Sequence, residues 1–323
     1  MTLAPAALKD LVRDIFARHG MPQAHATLVA DVLVWAELRG MASHGVMRVP
    51  RYVEWLRKGD LNATPSMKTV LDGVIDADRA AGPIAMMEAT RAACQKARAA
   101  GIGLSLVKNT THTAALGYYT QSAAREGFAA IALAASGPLM AYHGARAAGV
   151  STAPLSIAVP GEDEPYALDM ASSSISMGAL AQARASGAPI PAGAALSTDG
   201  TPTTDPAKAT IPLPLGGAKG SGLAFMTECL ASLLAANPIL AEVLERTPAS
   251  KRHRQNGLVM AIDVARFVPM DTFRREVGRL AADLRKLPGE DILMPGERGR
   301  RNAMRQRDAL AIDDKLYADL MTL

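Results

Sequence analysis

The 323-residue chain has two cysteines, and aromatic residues make up only 4% of it. Cys94 and Cys229 stand far apart inside apolar helical patterns. That excludes a disulfide framework and a paired-cysteine zinc site, and both read as buried reduced thiols. So few rings also exclude the interleaved stacking platforms that hold single-stranded nucleic acid. No charge sign dominates: 35 Lys and Arg against 31 Asp and Glu leave a net +4. This favours a small anionic ligand and is too dilute for a nucleic-acid partner. The most apolar stretch, "SGLAFMTECLASLLAAN", is interrupted by Glu228 and is shorter than a membrane span. The opening residues carry Lys9, Asp10, Arg13 and Asp14 where a secretory leader needs an unbroken apolar core. A soluble, cytoplasmic protein with no membrane partner is expected. Three signatures are missing as well: a G-x-G-x-x-G after a strand, a Walker-type lysine loop, and a G-x-S-x-G elbow.

What is present is a hydrophobic content of 49% with 20% charged residues, the balance of a globular protein with a sizeable core. Leu8, Leu11, Val12, Ile15 and Phe16 recur at helical spacing and stop at Gly20. A second helix follows Pro22 and ends at Gly40, and a third runs from Pro50 to Gly59. From about residue 70 helices and strands alternate. "LSLVK", "FAAIALAAS", "PLSIAVP", "YALDMAS" and "GLVMAIDV" read as strands. Helices are expected in "IAMMEATRAACQKARAAGIG", over 114–126, in "SISMGALAQARASG", over 222–236 and over 271–286. Residues 190–206 read as a loop and 237–256 as an exposed connection. Five or six strands among helices predict an α/β sandwich with a mixed sheet and a helical accessory unit.

Four short stretches carry polar chemistry. "RGMASHGVMRVPRY" sets Ser43, His44, Arg48 and Tyr52 in the break between the second and third helices. An arginine fork binds a carboxylate bidentately, and an imidazole with a pKa near ~6.5 exchanges a proton at neutral pH. The plain alternative is a helix-to-helix turn, and adjacent residues such as Ser43 and His44 rarely point at each other productively. "KNTTHTAALGYY" places His112 between a strand and a helix, where a capping or core histidine is the bland reading. "YALDMASSS" ends a strand at Asp169, which either accepts from ribose hydroxyls or caps a helix. "PLGGAKGSGLAFM" surrounds Lys219 with glycines before a helix, a cradle for an anion or a tight turn with a solvated lysine.

Taken in order, these segments resemble the malate/L-lactate dehydrogenase type 2 family, whose fold is not the Rossmann fold. The family includes ureidoglycolate and sulfolactate dehydrogenases, diketogulonate reductase and Δ1-piperideine-2-carboxylate reductases. "ASHGVMRVPRY" is similar to its N-terminal signature and "NTTHTAALGYY" to its N-x-x-H-F-G element. "STAPLSIAVP" resembles its G-T-N-P strand, "LDMASS" its D-M-A-T-S, "GGAKGSGL" its G-G-H-K-G-Y-G-L and "MPGER" its late P-G-E. The resemblance implies a helical domain of residues 1–70 completed by 295–323, an α/β domain over 71–294 that binds NAD(P) and substrate, and a homodimer. It implies His44 as proton donor, Ser43 as its relay partner and His112 as a further catalytic histidine, acting as base or touching the cofactor. Arg48 would hold the substrate carboxylate, with Tyr52 and Thr152 also at the substrate. Thr113, Ser136, Asp169, Met170, Ala171, Lys219, Gly296, Glu297 and Arg298 would line the dinucleotide. No metal is implied.

The sequence departs from the family pattern at Thr113, Ala153, Ala179 and Ala218, where Phe, Asn, Lys and His are usual. These changes put the substrate's identity in question. The expected activity is interconversion of a 2-oxo acid, or a cyclic imino acid, with its reduced product, using NADP or NAD with a lean to NADP. The rival readings are a Δ1-piperideine/pyrroline-2-carboxylate reductase, a dinucleotide-binding protein without catalysis and, more distantly, a hydrolase.

Overall fold

The computed structural model of the chain describes residues 1–245 and 254–323. Its first helix, Pro5–Arg18, buries Leu8, Val12, Ile15 and Phe16, the stripe that the spacing predicts. The second, Gln23–Leu38, is apolar on most sides because the first helix and the later helix Gly82–Ala100 both pack on it. Val49 is helical despite preceding Pro50, so the third helix, Val49–Lys58, starts one residue early. Gly59 ends it in the left-handed conformation.

Seven strands form one mixed sheet, in the order Lys68–Leu71, Val74–Asp76, Ile102–Thr110, Gln255–Asp263, Phe128–Ser136, Leu155–Val159 and Tyr166–Met170. Only the pairing of Val74–Asp76 with Ile102–Thr110 is parallel. Ala130, Ala132, Ala134, Val259 and Ala261 face the helices Gly117–Arg125 and Gly82–Ala100 and share one core with the N-terminal helices. Their alternates Leu133, Ala135 and Leu258 face the other way, onto Ala231 and Ala235. Both sheet faces are therefore covered, which is why "FAAIALAAS" and "GLVMAIDV" are apolar throughout rather than alternating.

The structure corrects three expectations. Strands Lys68–Leu71 and Val74–Asp76 extend the sheet beyond the five or six strands expected. The first of them is exposed along its whole length and so carries no hydrophobic pattern. Residues 190–206, read as a loop, contribute Ala195–Ser197 and Pro202–Thr203 to a small sheet completed by Ala209–Pro212. The helix expected over 222–236 begins earlier, at Ala218, and after Glu228 widens into a π-turn over Cys229–Leu233. The expected exposed connection over 237–256 falls partly outside the described residues. Within them Ile239 and Leu240 are buried, and Gln255 opens the central strand.

The chain ends meet: Thr2–Leu3 pairs with Leu310–Ala311, and the helix Asp314–Met321 packs on Val49–Lys58. Among the described residues no helix is long and apolar enough to cross a membrane. No cluster of three or more His, Cys, Asp or Glu residues among them could hold a metal.

Candidate active site

Two 3-10 turns, Ala42–His44 and Val46–Arg48, follow the second helix, and the first is closed by the His44 N–H donating to the Met41 carbonyl at 2.8 Å. So tight a turn brings neighbouring side chains together, and Ser43 Oγ lies 3.0 Å from His44 Nδ1. This corrects the expectation that the two would not point at each other. Glu37, on the preceding helix, accepts from the Val46 N–H at 2.9 Å and fastens the far side of the turn. Burial raises the Glu37 carboxyl above the usual carboxylate range. Arg48 Nε donates to the Ser43 carbonyl at 2.5 Å. Its terminal guanidinium nitrogens donate to no described residue. Burial, and then the Arg48 charge, push His44 down to about 4, so its imidazole is neutral at pH 7. The segment after Asp169 returns against Ser43 at Gly178, where a Cβ would stand 2.4 Å from Ser43 Oγ. Only glycine fits there.

His112 follows the strand Ile102–Thr110, and its ring stacks on His44 with centroids 5.6 Å apart. Three groups hold its loop. Tyr119 donates to the Thr113 carbonyl at 2.7 Å, and the Thr113 N–H and hydroxyl both donate to Gln255 Oε1 at 2.9 Å. Tyr52, fully buried, places its hydroxyl 2.9 Å from both the Nδ1 and the carbonyl oxygen of His112. Gln255 also stands opposite Ser136 in the sheet, which links the histidine pair to the ends of the central strands.

Thr152, Met170, Ala171 and Lys219 gather beyond those strand ends. Ser172 donates through its N–H and hydroxyl to the Thr152 carbonyl at 2.8 Å, and its own carbonyl accepts from the Leu215 N–H. Gly216 and Gly217 then turn with φ of 60° and 61°, a region that penalises any side chain. The helix Ala218–Glu228 starts there, with Lys219 exposed in its first turn. Asp169 accepts from the Gly117 N–H at 2.8 Å, and burial pushes its carboxyl up to about 6. Pro295 accepts from the Ala167 N–H at 3.2 Å, which sets the Gly296–Arg298 turn on the same edge strand, two residues from Asp169. Glu297 is buried and accepts from the Met294 N–H and from Arg285 and Arg300, so it braces the turn. Arg298 is exposed. The donors, a glycine turn with helix N–H groups and a lysine, suit a phosphate, and the Asp169 carboxylate at a strand end is an acceptor for ribose hydroxyls.

The chain matches the model of the family described as malate/L-lactate dehydrogenase over residues 3–321. It belongs to that family. It is accordingly an oxidoreductase. It is 35% identical to the L-sulfolactate dehydrogenase of Methanocaldococcus jannaschii, over 99% of this chain and 95% of that one. The solved structure of that enzyme superposes with a TM-score of 0.88 at 34% identity, covering 99% of this chain and 95% of that one. The chain is 31% identical to the ureidoglycolate dehydrogenase (NAD(+)) of Escherichia coli K12, over 92% of this chain and 88% of that one. A Δ1-pyrroline-2-carboxylate/Δ1-piperideine-2-carboxylate reductase of Pseudomonas putida is 38% identical over 70% of this chain and 69% of its own.

Glu37, Gln255 and Gly178 are the site residues that sequence reasoning missed. Glu37 carries the one available signal, an acid at the end of the apolar run Val32–Ala36. Gln255 and Gly178 reach the site only through tertiary contacts.

Proposed function

We propose that this oxidoreductase interconverts a 2-oxo acid, or a cyclic imino acid, with the corresponding 2-hydroxy or amino acid. The observation that carries this reading is the Ser43–His44–Arg48 turn, which sets a proton-exchanging imidazole beside an arginine fork. Arg48 holds the substrate carboxylate, with Thr152 at the substrate's other side. His44 exchanges the proton on the substrate oxygen or nitrogen, Ser43 orients its Nδ1, and His112 stacks against it. A nicotinamide dinucleotide, when bound, supplies or takes the hydride. Thr113, Ser136, Asp169, Met170, Ala171, Lys219 and the Gly296–Arg298 turn are its proposed contacts. A cyclic imine is the second substrate reading, favoured by the small side chains at Thr113, Ala153 and Ala218 and by the P. putida relative. A role confined to binding the dinucleotide leaves the Ser43–His44 contact without a purpose.

Of the two dinucleotides we favour NADPH. Arg300 is engaged by Glu297 and Arg301 by Asp291, while the exposed Arg298 has no ion-pair partner among the described residues. Pairing with a 2′-phosphate, at ~1.5–3 kcal/mol, favours NADPH by roughly ten- to a hundredfold. The test follows NADH and NADPH absorbance over a panel of 2-oxo acids and cyclic imines, with wild type and Arg298→Ala. Turnover of at least one of these classes is expected, with the NADPH preference reduced in the variant. No turnover overturns the reaction, and a wild type that prefers NADH returns the arginine to solvent.

We also propose a homodimer. The helix and π-turn over 218–233 expose Phe225, Met226, Leu230 and Leu233, an apolar stripe of a kind that monomers rarely leave in water. Sedimentation should give a dimer, with Phe225→Glu/Leu233→Glu monomeric. A wild-type monomer sinks the idea. The meeting of the chain ends supports joining 295–323 to the N-terminal helices in one helical domain, while the strand Lys68–Leu71 in the central sheet moves the start of the α/β domain from 71 to before residue 68.

A further inference from the structure

Tyr52 is among the largest fully buried side chains. Its ring lies between Phe16, at 6.0 Å, and Trp55, at 5.6 Å between centroids. Its hydroxyl makes two contacts of 2.9 Å with one residue, His112. A phenol has a single proton, so the two contacts cannot both be donated bonds. The His112 carbonyl oxygen can only accept, so the phenolic proton goes to it. The contact with Nδ1 is then a hydrogen bond only when Nδ1 carries the ring proton and donates to the phenolic oxygen. The reverse assignment sets two lone pairs against each other at 2.9 Å in a buried place, where an unmet polar contact is costly. Burial raises the Tyr52 hydroxyl above its ordinary value, so it stays a donor at neutral pH.

We propose that Tyr52 is a positioning residue that fixes His112 as its Nδ1–H tautomer and so makes Nε2 the ring nitrogen that accepts a proton in the site. A backbone carbonyl and a ring nitrogen of the same residue are clamped by one hydroxyl, so ring orientation and tautomer are set together. The stacking of His112 on His44 gives this choice a consequence. When neutral, His112 with its proton on Nδ1 meets the developing imidazolium of His44 without adding a second cation. This consequence rests on the proposed reaction, whereas the tautomer does not.

The deciding experiment is long-range proton–nitrogen NMR of enzyme labelled with ¹⁵N-histidine, with the His112 signals assigned by their loss in His112→Gln. Wild type, at a pH where the ring is neutral, should show a protonated Nδ1 and an unprotonated Nε2. Tyr52→Phe, which keeps the ring packing, should lose that bias. In the same variant kcat should fall by roughly 10- to 100-fold, the usual effect of removing a partner that orients a functional histidine, with KM for the acid unchanged. An Nε2–H tautomer in wild type overturns the proposal, as does an unaltered Nδ1–H tautomer in Tyr52→Phe. So does a variant that raises KM at constant kcat, which would put Tyr52 against the substrate. Should Tyr52→Phe not fold, the wild-type spectrum alone decides. An enzyme inactive on every acid and imine would sink the proposed reaction and leave the tautomer result standing.

Discussion

His44→Ala is expected to lower turnover by roughly 10²- to 10⁴-fold, the range that a positioned proton-transfer group supplies. Binding of the dinucleotide, followed by NAD(P)H fluorescence titration on the same variant, should stay close to wild type. The separation follows from placement. His44 contacts Ser43 and His112. His44 itself is not among the proposed dinucleotide contacts, most of which lie at the strand ends and on the edge strand, Thr113 beside His112 being the nearest to it. Turnover within about tenfold of wild type would remove His44 from the chemistry.

The depressed pKa of His44 adds a pH signature whose sign is fixed. With the free site holding His44 near 4, its neutral form persists well below the usual histidine range. In the proposed reaction the resting enzyme is thus poised to accept a proton from a hydroxy acid. In the reductive direction His44 must first gain a proton, and a substrate carboxylate seated on Arg48 offsets the charge that opposes it. The acid limb of kcat/KM for oxidation, which reports the free enzyme, should therefore lie well below 6.5, and that of kcat should lie above it. An acid limb of kcat/KM at 6 or higher would contradict the geometry. Stability moves in the same direction. A folded-state value below the unfolded one stabilises the protein fully above ~6.5, and this contribution is lost as the pH falls toward 4.

The helices around the site were legible because their stripes and their stops are local. Leu8, Val12, Ile15 and Phe16 are three or four residues apart, and Gly20, Gly40 and Gly59 mark the ends. The buried strands were legible as short apolar runs. Lys68–Leu71 was not, since no face of it is buried, nor were the two- to four-residue strands within 195–212, embedded among turn residues. The site divided in the same way. Ser43, His44 and Arg48 lie within one hexapeptide and could be read together. Their contact depends on a 3-10 turn, however, and periodicity does not report such a turn. Gln255 is 142 residues from Thr113, and Gly178 meets Ser43 only because the edge strand turns back toward the helices. No local pattern encodes either contact. Tyr52 shows the converse: its place in the motif is legible, whereas its burial and its bond to His112 arise from packing against Phe16 and Trp55.

Arg48→Lys should raise KM for the acid by roughly ten- to a hundredfold, the worth of a charge-assisted bond to a carboxylate. Lysine keeps the positive charge and loses the planar fork. Arg48 Nε also donates to the Ser43 carbonyl and so braces the turn that carries His44. Some loss of kcat is therefore expected from a loosened Ser43 as well. A neutral amide analogue of the substrate separates the two effects. It makes no ion pair with Arg48, so its kcat/KM responds only to the turn. If Arg48 is the carboxylate site, the wild-type preference for acid over amide should shrink in Arg48→Lys by about the same factor by which KM for the acid rises. Equal losses on acid and amide would mean that Arg48 only holds Ser43 in place and that the carboxylate binds to another cation. The exposed Lys219 at the start of the helix Ala218–Glu228 would be the first to test, since no described residue pairs with it.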